Sequence, residues 1–266
     1  MSPNIISIVT PTYNRAHTLP RLFTSLVAQQ QLGFEWVVVD DGSTDGTRAL
    51  VEAWQADALF PVRYLHQLNG GKHVALNTAS QAAVCDWVFI VDSDDCLTPD
   101  AVAFICTQLE LHNDAGYSGL CFRRGNLEGE IIGRPLGNVQ QATQAMHPTE
   151  AGKFYAGDLA YVFAKKHLLA HPFPVFPEER FVPELFIWNK IGDQAPVLYH
   201  HHRVLYLTEY LAEGYSANFK SNLKRNPKGF GIYYRDQFRR ERALIPLLKC
   251  AVRAVQCWFY ETTRSH

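Results

Sequence analysis

The sequence has no apolar run of the roughly 18 residues that a membrane-spanning helix requires, so we predict no such helix. Its amino terminus, MSPNIISIVTPTYN, lacks a basic segment followed by an apolar one, and we expect no signal peptide. The six cysteines form no CxxC pair, so we expect reduced core thiols in a cytoplasmic protein. The net charge of −1 gives no reason to expect a nucleic-acid partner.

Hydrophobic residues make up 47% of the chain and charged residues 19%, which is typical of a folded globular protein. In the first hundred residues, short apolar runs alternate with amphipathic helical patterns. The predicted strands are Ile5 to Thr10, Glu35 to Asp40, Val62 to Leu65 and Trp87 to Val91. Alternation of this kind predicts an α/β fold with a mostly parallel sheet flanked by helices.

The pattern is less regular in the second half. We predict strands over Leu120–Arg123, Leu159–Phe163 and Val197–Leu207, and helices over Phe181–Ile191 and Arg239–Tyr260. The segment Gly125–Gly157 is rich in Gly, Gln, Thr and Pro and is predicted to be a long loop. The consecutive histidines 200–202 cannot all converge on one metal, because successive strand residues point to opposite faces; we expect a polar strand edge.

Polar clusters follow three of the predicted strands, at Thr10–Arg15, Asp40–Asp45 and Asp92–Asp95. In an open α/β sheet, ligands bind beyond the carboxyl ends of the strands, so the clusters are expected to share one site. Three carboxylates within four residues repel one another unless a cation offsets them. Oxygen ligands of this kind suit Mg²⁺ or Mn²⁺ with substrate phosphates, whereas a solvated turn is the alternative.

Side chains in the other clusters have the chemistry to bind a nucleotide. Asp40 and Asp41 can accept hydrogen bonds from a base or a ribose, and the ring of Tyr13 can stack on a base. Gly70 and Gly71 allow a close backbone approach to a ligand, and Lys72 offers a positive charge for phosphates. His73 and Asn77 face the same side of the following predicted helix.

Four motifs in register, TPTYNR, VVVDDGSTDGT, NGGKHVALNTA and VDSDD, resemble the family-two glycosyltransferases of the GT-A fold. The resemblance implies inverting transfer of a sugar from a nucleotide-sugar donor, here a UDP-sugar, with Mn²⁺ or Mg²⁺ as cofactor. The residues that we predict to bind the donor are Thr10, Pro11, Tyr13, Arg15, Asp40, Asp41, Lys72, Asn77, Asp92, Ser93 and Asp94. The predicted metal ligands are Asp94, Asp92 and Asp95.

The family commonly supplies its general base as a carboxylate near a helix start in the second half of the chain. By that resemblance Glu184 is our candidate, although the chain has Pro183-Glu184 where the family often has Glu-Asp. Glu178 and Glu179 are the rivals. The segment from Glu209 to Ser216 resembles a loop of bacterial polysaccharide-assembly members that closes over the donor, with Gly214 as hinge.

We predict a GT-A catalytic domain over residues 1–215, with a nucleotide-sugar half (1–96) and an acceptor half (97–215), and a C-terminal helical extension over 216–266. The expected acceptor is a saccharide or a lipid-linked sugar. The amphipathic segment 239–260 is basic and meets either the inner face of the membrane or a protein surface. The alternatives to a glycosyltransferase are a metal-dependent nucleotidyltransferase, although the chain lacks its glycine-rich phosphate loop, and a non-catalytic nucleotide- or sugar-binding module.

Overall fold

A computed structural model describes residues 5–112, 115–137, 139–209 and 219–264. Its first half alternates strictly between strand and helix, because each β-branched strand is followed by a polar turn and an amphipathic helix. The elements are β1 (Ile6–Thr12), α1 (Leu19–Val27), β2 (Phe34–Asp40), α2 (Thr47–Asp57), β3 (Val62–His66), α3 (Lys72–Ala82) and β4 (Trp87–Ile90). The four strands pair in parallel, which confirms the predicted parallel sheet, and their order is β3-β2-β1-β4.

The second half extends the same sheet with mixed strand directions. Its elements are β5 (Cys96–Leu97), α4 (Ala101–Leu111), β6 (Gly119–Gly125), β7 (Thr143–Met146), α5 (Pro148–Tyr155), β8 (Leu159–Ala164), α6 (Lys165–Ala170), α7 (Leu185–Gly192) and β9 (Val197–Leu207). From β4 the sheet continues through β8, β6, β9 and β5, and β7 also pairs with β9. Strand β8 is antiparallel to both of its neighbours, whereas β6 and β9 run parallel to each other.

Two expectations for this half are wrong. The predicted loop over 125–157 contains β7 and α5, because the segment Thr143–Met146 pairs with β9 and Pro148 starts a helix. Only one residue of β7 is buried, so its composition carries no apolar alternation. The helix predicted from Phe181 begins at Leu185 instead, because Pro183 precedes the helix and Glu184 is its N-cap residue.

Helices cover both faces of the sheet, since alternate residues of each strand point to opposite sides. Ile8 and Trp36 belong to one buried cluster, whereas their neighbours Val9 and Val37 belong to the other. The six cysteines are buried and free, as predicted. Among the described residues, no helix is both long enough and apolar enough to cross a bilayer.

Three helices follow the sheet: α8 (Phe219–Arg225), α9 (Pro227–Arg240) and α10 (Leu244–Arg264). The single helix predicted over 239–260 is therefore the end of α9 and most of α10, separated by a short turn. The three helices share a small core of their own around Leu223, Phe230 and Tyr234. The predicted domain boundary at 215/216 lies outside the described residues, and so does the predicted donor-closing loop over Glu209–Ser216, except for Glu209 itself.

Candidate active site

A cleft of about 520 Å³ opens at the carboxyl ends of β1, β2 and β4. Three predicted polar clusters meet there, because these strands are parallel neighbours and end at the same edge. The lining residues are Pro11, Thr12, Tyr13, Arg15, Asp41, Asn69, Gly71, Lys72, Asp92, Ser93, Asp94 and Arg180. The ring of Tyr13 is about half exposed (48%), so it is accessible to a planar ligand.

The acidic turn after β4 directs its carboxylates to different places. Asp92 lies 2.5 Å from the Lys72 ammonium and 3.5 Å from the Arg124 guanidinium. Asp95 is buried and accepts hydrogen bonds from the hydroxyls of Tyr206 (2.7 Å) and Thr208 (2.5 Å). Only Asp94, 3.8 Å from Arg15, belongs to the cleft without being held by a buried network.

The pKa values of Asp92, which is partly exposed, and Asp95, which is buried, shift in opposite directions. Burial raises the pKa of Asp92, but the charges of Lys72 and Arg124 outweigh burial and lower that pKa to about 2. Burial, together with the negative charge of Asp92, raises the pKa of Asp95 to about 6. Asp92 is therefore a charged partner of two cations. Asp95 is a buried acid that connects the turn to Tyr206 and Thr208 through hydrogen bonds.

The three-carboxylate metal site predicted from the sequence is corrected by this geometry. No group of three His, Cys, Asp or Glu side chains that could hold a metal ion occurs within the described ranges 5–112, 115–137, 139–209 and 219–264. The reason is that both carboxylate oxygens of Asp95 accept hydrogen bonds, from Tyr206 of β9 and from Thr208 just after that strand. Asp94 is the member of the motif that fits a cation, since Mg²⁺ and Mn²⁺ commonly take one or two carboxylates and complete their shell with substrate phosphates.

Lys72 connects the first and second halves of the chain. At the start of α3, its ammonium lies 2.5 Å from Asp92 and 2.7 Å from Glu184. Burial lowers the pKa of Lys72, but these two carboxylates outweigh burial and raise it. Gly71 precedes it with φ +95°, and a Cβ at this position would lie 2.1 Å from the carbonyl oxygen of Arg180. The glycine therefore lets the segment that carries Arg180 close against α3.

The aspartate pair after β2 organises the cleft wall. Asp41 accepts hydrogen bonds from the side chain of Gln67 (2.7 Å) and from the backbone N–H groups of Gly70 (2.8 Å) and Gly71 (2.7 Å). It also lines the cleft. Asp40 lies outside the lining, where it accepts hydrogen bonds from the Ser43 N–H and from the hydroxyl of Tyr64.

Besides Asp40, two predicted donor residues, Thr10 and Asn77, do not line the cleft. The Thr10 hydroxyl is buried and accepts a hydrogen bond from the Trp36 indole. The Asn77 amide bonds to the backbone of Phe173 on both its oxygen and its nitrogen. Both side chains hold neighbouring elements together, because each uses its polar atoms inside the protein. Burial lowers the pKa of the neighbouring His73 to about 4.

The candidate bases separate clearly in space. Glu184 contacts Lys72 and lines a second cleft of about 330 Å³. Asp92 lines both clefts, so the two adjoin at the acidic turn. Glu179 instead accepts hydrogen bonds from the N–H groups of Lys228 (2.7 Å) and Gly229 (2.8 Å) at the start of α9. Glu178 pairs with the Lys228 ammonium on the protein surface.

The second cleft is lined by residues from both parts of the sheet: Asp92, Arg124, Gly152, Gly157, Asp158, Leu159, Tyr161, Glu184, Leu185 and Trp188. Asp92 lies where this cleft adjoins the first one. The aromatic side chains of Tyr161 and Trp188 line it, and Gly152 and Gly157 leave room for a ligand. Such a combination suits a polar ligand with flat apolar faces, and sugars have this character.

Sequence reasoning missed Arg124, Tyr206 and Arg180. Arg124 lies 4.0 Å over the ring of Tyr206 and contacts Asp92 and Asp95. A pair of arginines ending the apolar strand GLCFRRG was a usable signal for Arg124, because a charge beside a buried strand needs a partner. Tyr206 carried no comparable signal in sequence. The histidines are also corrected: His200 and His201 are buried, and His200 stacks on Phe122 rather than forming a polar edge.

The model of the family described as Glycosyl transferase family 2 matches residues 7–166, more than half of the chain. The chain belongs to this family. As a family-2 member it has similar relatives in bacteria: it is 33% identical over 113 residues to the abequosyltransferase RfbV of Salmonella typhimurium, covering 41% of this chain and 34% of that one. The family match gives no support to the nucleotidyltransferase alternative.

A second relative of the family-2 chain is the poly(ribitol-phosphate) beta-N-acetylglucosaminyltransferase TarS of Staphylococcus aureus, 38% identical over 105 residues, covering 37% of this chain and 18% of TarS. The matched region is about a third or less of the length of the curated relatives.

Solved structures show the GT-A fold. A structure of S. aureus TarS residues 1–349 superposes with a TM-score of 0.69 at 18% identity, covering 96% of this chain and 72% of that one. The mannosyltransferase PcManGT of Pyrobaculum calidifontis, solved with GDP-Man and Mn²⁺, gives 0.64 at 20% identity, covering 100% and 76%. At these identities the likeness shows the fold, which the sequence analysis predicted.

Proposed function

We propose that this family-2 chain transfers a sugar from a nucleotide-sugar donor, a UDP-sugar, to an acceptor hydroxyl with inversion at the anomeric carbon. The observation that carries the proposal is the junction of the two clefts, where Lys72 connects Asp92 of the donor half to Glu184 of the acceptor half. A donor in the first cleft and an acceptor in the second would meet there.

The donor nucleotide would lie against Tyr13, with Asp41 holding the wall beside it. Three cations line the first cleft, Arg15, Lys72 and Arg180, and they offset the negative charge of a diphosphate. A divalent cation, Mn²⁺ or Mg²⁺, held by Asp94 would add positive charge at the same place. Asp92 is committed to Lys72 and Arg124, which makes it a positioning residue in this geometry.

We propose Glu184 as the general base. Its carboxylate accepts the proton of the acceptor hydroxyl while the oxygen attacks the anomeric carbon and the nucleotide diphosphate leaves on the opposite face. Its place at the first turn of α7, beside the second cleft, supports this assignment. Glu178 and Glu179 are engaged at the start of α9, so neither is the proposed base.

Two relatives support an acceptor in surface-polymer synthesis: TarS is named for a poly(ribitol-phosphate) acceptor, and RfbV for the sugar abequose. We propose a saccharide or lipid-linked acceptor and a place of action in the cytoplasm at the inner face of the membrane. A structure of TarS in complex with UDP-GlcNAc, with a TM-score of 0.66 and 22% identity, supports the choice of uridine.

The donor and metal assignments are tested by nucleotide binding. With Mn²⁺ present, we expect UDP at a hundred times its dissociation constant to stabilise the protein by about 2.7 kcal/mol, and with EDTA we expect a smaller stabilisation at the same UDP concentration. Asp94→Asn should abolish the increment due to Mn²⁺ and leave the fold intact, because Asp94 is partly exposed. Asp57→Asn, an exposed residue at the end of α2, is the matched control and should keep the increment.

Tighter binding of GDP or CMP than of UDP would overturn the uridine assignment and leave the fold assignment intact. An unchanged Mn²⁺ increment in Asp94→Asn would reject Asp94 as the ligand. If the protein binds UDP but never releases it from any UDP-sugar in the presence of saccharide acceptors, the non-catalytic binding module becomes the better account.

A further inference from the structure

The outer face of α10 exposes a continuous apolar stripe. Leu244, Leu248, Val252, Val255 and Phe259 follow one another at intervals of three or four residues, so they lie on one side of the helix. Ile245 and Trp258 flank them. Each of the seven side chains is more than half exposed, between 52% and 81%. The stripe is about 22 Å long at 1.5 Å per residue.

The opposite face of α10 is committed to the protein. Cys250 and Cys257 are buried against α9 in the core that contains Phe230 and Tyr234. The helix therefore lies along the molecular surface with one face attached and the apolar face turned outward. Exposed apolar surface of this extent on one helix is a common mark of an interaction site.

The charge around the stripe identifies the partner. From residue 242 to residue 264 the sequence carries four basic residues, Arg242, Lys249, Arg253 and Arg264, against one acidic residue, Glu261, although the whole chain has a net charge of −1. Arg242 and Lys249 are exposed near the stripe. A second copy of this chain pairing through α10 would bring like charges together, which disfavours that arrangement. An anionic lipid surface offers both an apolar layer and negative headgroups.

We propose that α10 lies in the interface of an anionic lipid bilayer, with its apolar stripe inserted and the exposed Arg242 and Lys249 close to the headgroups. Trp258 and Phe259 place large rings in the same stripe, and such rings suit the boundary between headgroups and acyl chains.

The docked surface is connected to the acceptor side of the candidate site. Helix α9, on which α10 packs, bonds to α7 through Asn189–Gln237 (3.0 Å) and Lys190–Asp236 (2.7 Å). Glu184 is the N-cap residue of α7. These contacts would hold Glu184, the proposed base, at a fixed distance from a bilayer bound by α10. Such an arrangement suits an acceptor that is itself anchored in lipid. Lipid docking requires no catalysis, so it can fail or succeed independently of the proposed transfer.

Co-sedimentation of the full chain with vesicles tests the proposal. We expect binding to vesicles of phosphatidylglycerol and phosphatidylethanolamine, weaker binding to phosphatidylcholine alone, and less binding as NaCl shortens the Debye length. The triple variant L248Q/V252Q/V255Q should reduce the partition coefficient by about tenfold or more, because three side chains lose their burial. The matched control L59Q/L68Q/V84Q replaces three exposed apolar residues elsewhere and should bind like the wild type.

All the substituted side chains are exposed, so circular dichroism and thermal unfolding should match the wild type for both triple variants, and a tube without vesicles corrects for aggregation. Two results would overturn the proposal: no binding of the wild type to anionic vesicles, or an equal loss of vesicle binding in both triple variants. If binding is absent and sedimentation velocity shows a wild-type dimer that L248Q/V252Q/V255Q converts to a monomer, the stripe is instead a contact between two copies of this chain.

Discussion

The two walls of the candidate site are held in different ways. The first wall, where we propose that the donor binds and which we call the donor wall, contains Asp41. Its carboxylate accepts hydrogen bonds from the backbone N–H groups of Gly70 and Gly71, in the turn after the adjacent strand β3. The second wall, where we propose that the acceptor binds, we call the acceptor wall. There Arg124 of β6 contacts both Asp92 and Asp95, and the hydroxyl of Tyr206 in β9 donates a hydrogen bond to Asp95. The first wall is made of neighbouring turns, and the second is made of charge contacts between distant parts of the chain.

This difference predicts which property a mutation in each wall should reduce: nucleotide affinity, sugar transfer or the stability of the fold. A donor wall of backbone turns should respond to mutation by losing nucleotide affinity. An acceptor wall of long-range contacts divides into side chains that face the second cleft and side chains that hold the helices behind it. Glu184 belongs to the first kind and Glu179 to the second, although five residues separate them.

The largest effect is expected for Glu184→Gln. Sugar transfer should fall by about two to four orders of magnitude, the usual range for a general acid–base residue, while UDP affinity stays near the wild-type value. Gln has nearly the same shape but cannot accept the acceptor's proton. UDP release with a competent acceptor measures transfer, and calorimetry measures binding. Equal loss of both quantities would mean that Glu184 shapes the donor wall, and the two walls would no longer be separable.

A smaller effect is expected for Asp41→Asn on the donor wall. The amide can accept on one atom only, whereas Asp41 accepts from Gln67, Gly70 and Gly71 on both oxygens. One buried N–H then faces an NH₂ group, which costs about 1–3 kcal/mol. UDP affinity should fall about tenfold or more because the glycine turn lines the donor cleft. Asp57→Asn is the control, and undiminished UDP affinity in Asp41→Asn would contradict the role of this turn.

The contrast between the walls also explains what could be predicted from the sequence. The four parallel strands and the clusters at Thr12–Arg15, Asp41 and Asp92–Asp94 follow from local patterns, since a buried strand and the polar residues after it are adjacent in the chain. The failures involve tertiary pairing. The segment Thr143–Met146 is a strand because β9 is beside it, and Asp95 turns away from the cleft because Tyr206 and Thr208 bond to it.

The same reasoning applies to Asn77 and Thr10. Both have the right chemistry for a nucleotide, and each follows or precedes a cleft residue within five positions of the sequence, Lys72 for Asn77 and Pro11 for Thr10. Their polar atoms are nevertheless used by Phe173 and Trp36, residues that no local pattern connects to them. Composition and spacing therefore identify the edge of the sheet where a ligand binds, and the tertiary partners decide which of the polar side chains there remain available.

The smallest effect separates two adjacent glutamates behind the acceptor wall. Glu179 is 1% exposed, and its carboxylate accepts from the N–H groups of Lys228 and Gly229, which are among the unpaired donors of the first turn of α9. In Glu179→Gln the charge that favours a helix N-terminus is lost and one N–H keeps no good acceptor, so the free energy of unfolding should fall by about 1–2 kcal/mol. Glu178 pairs with Lys228 in solvent, so Glu178→Gln should change stability by less than about 0.5 kcal/mol. Urea unfolding of both variants measures the difference.

Both variants should retain most of the transfer activity, because neither the Glu178 nor the Glu179 carboxylate lines the second cleft. Loss of transfer in Glu178→Gln without loss of stability would return that residue to candidacy as the base and break the division of the acceptor wall.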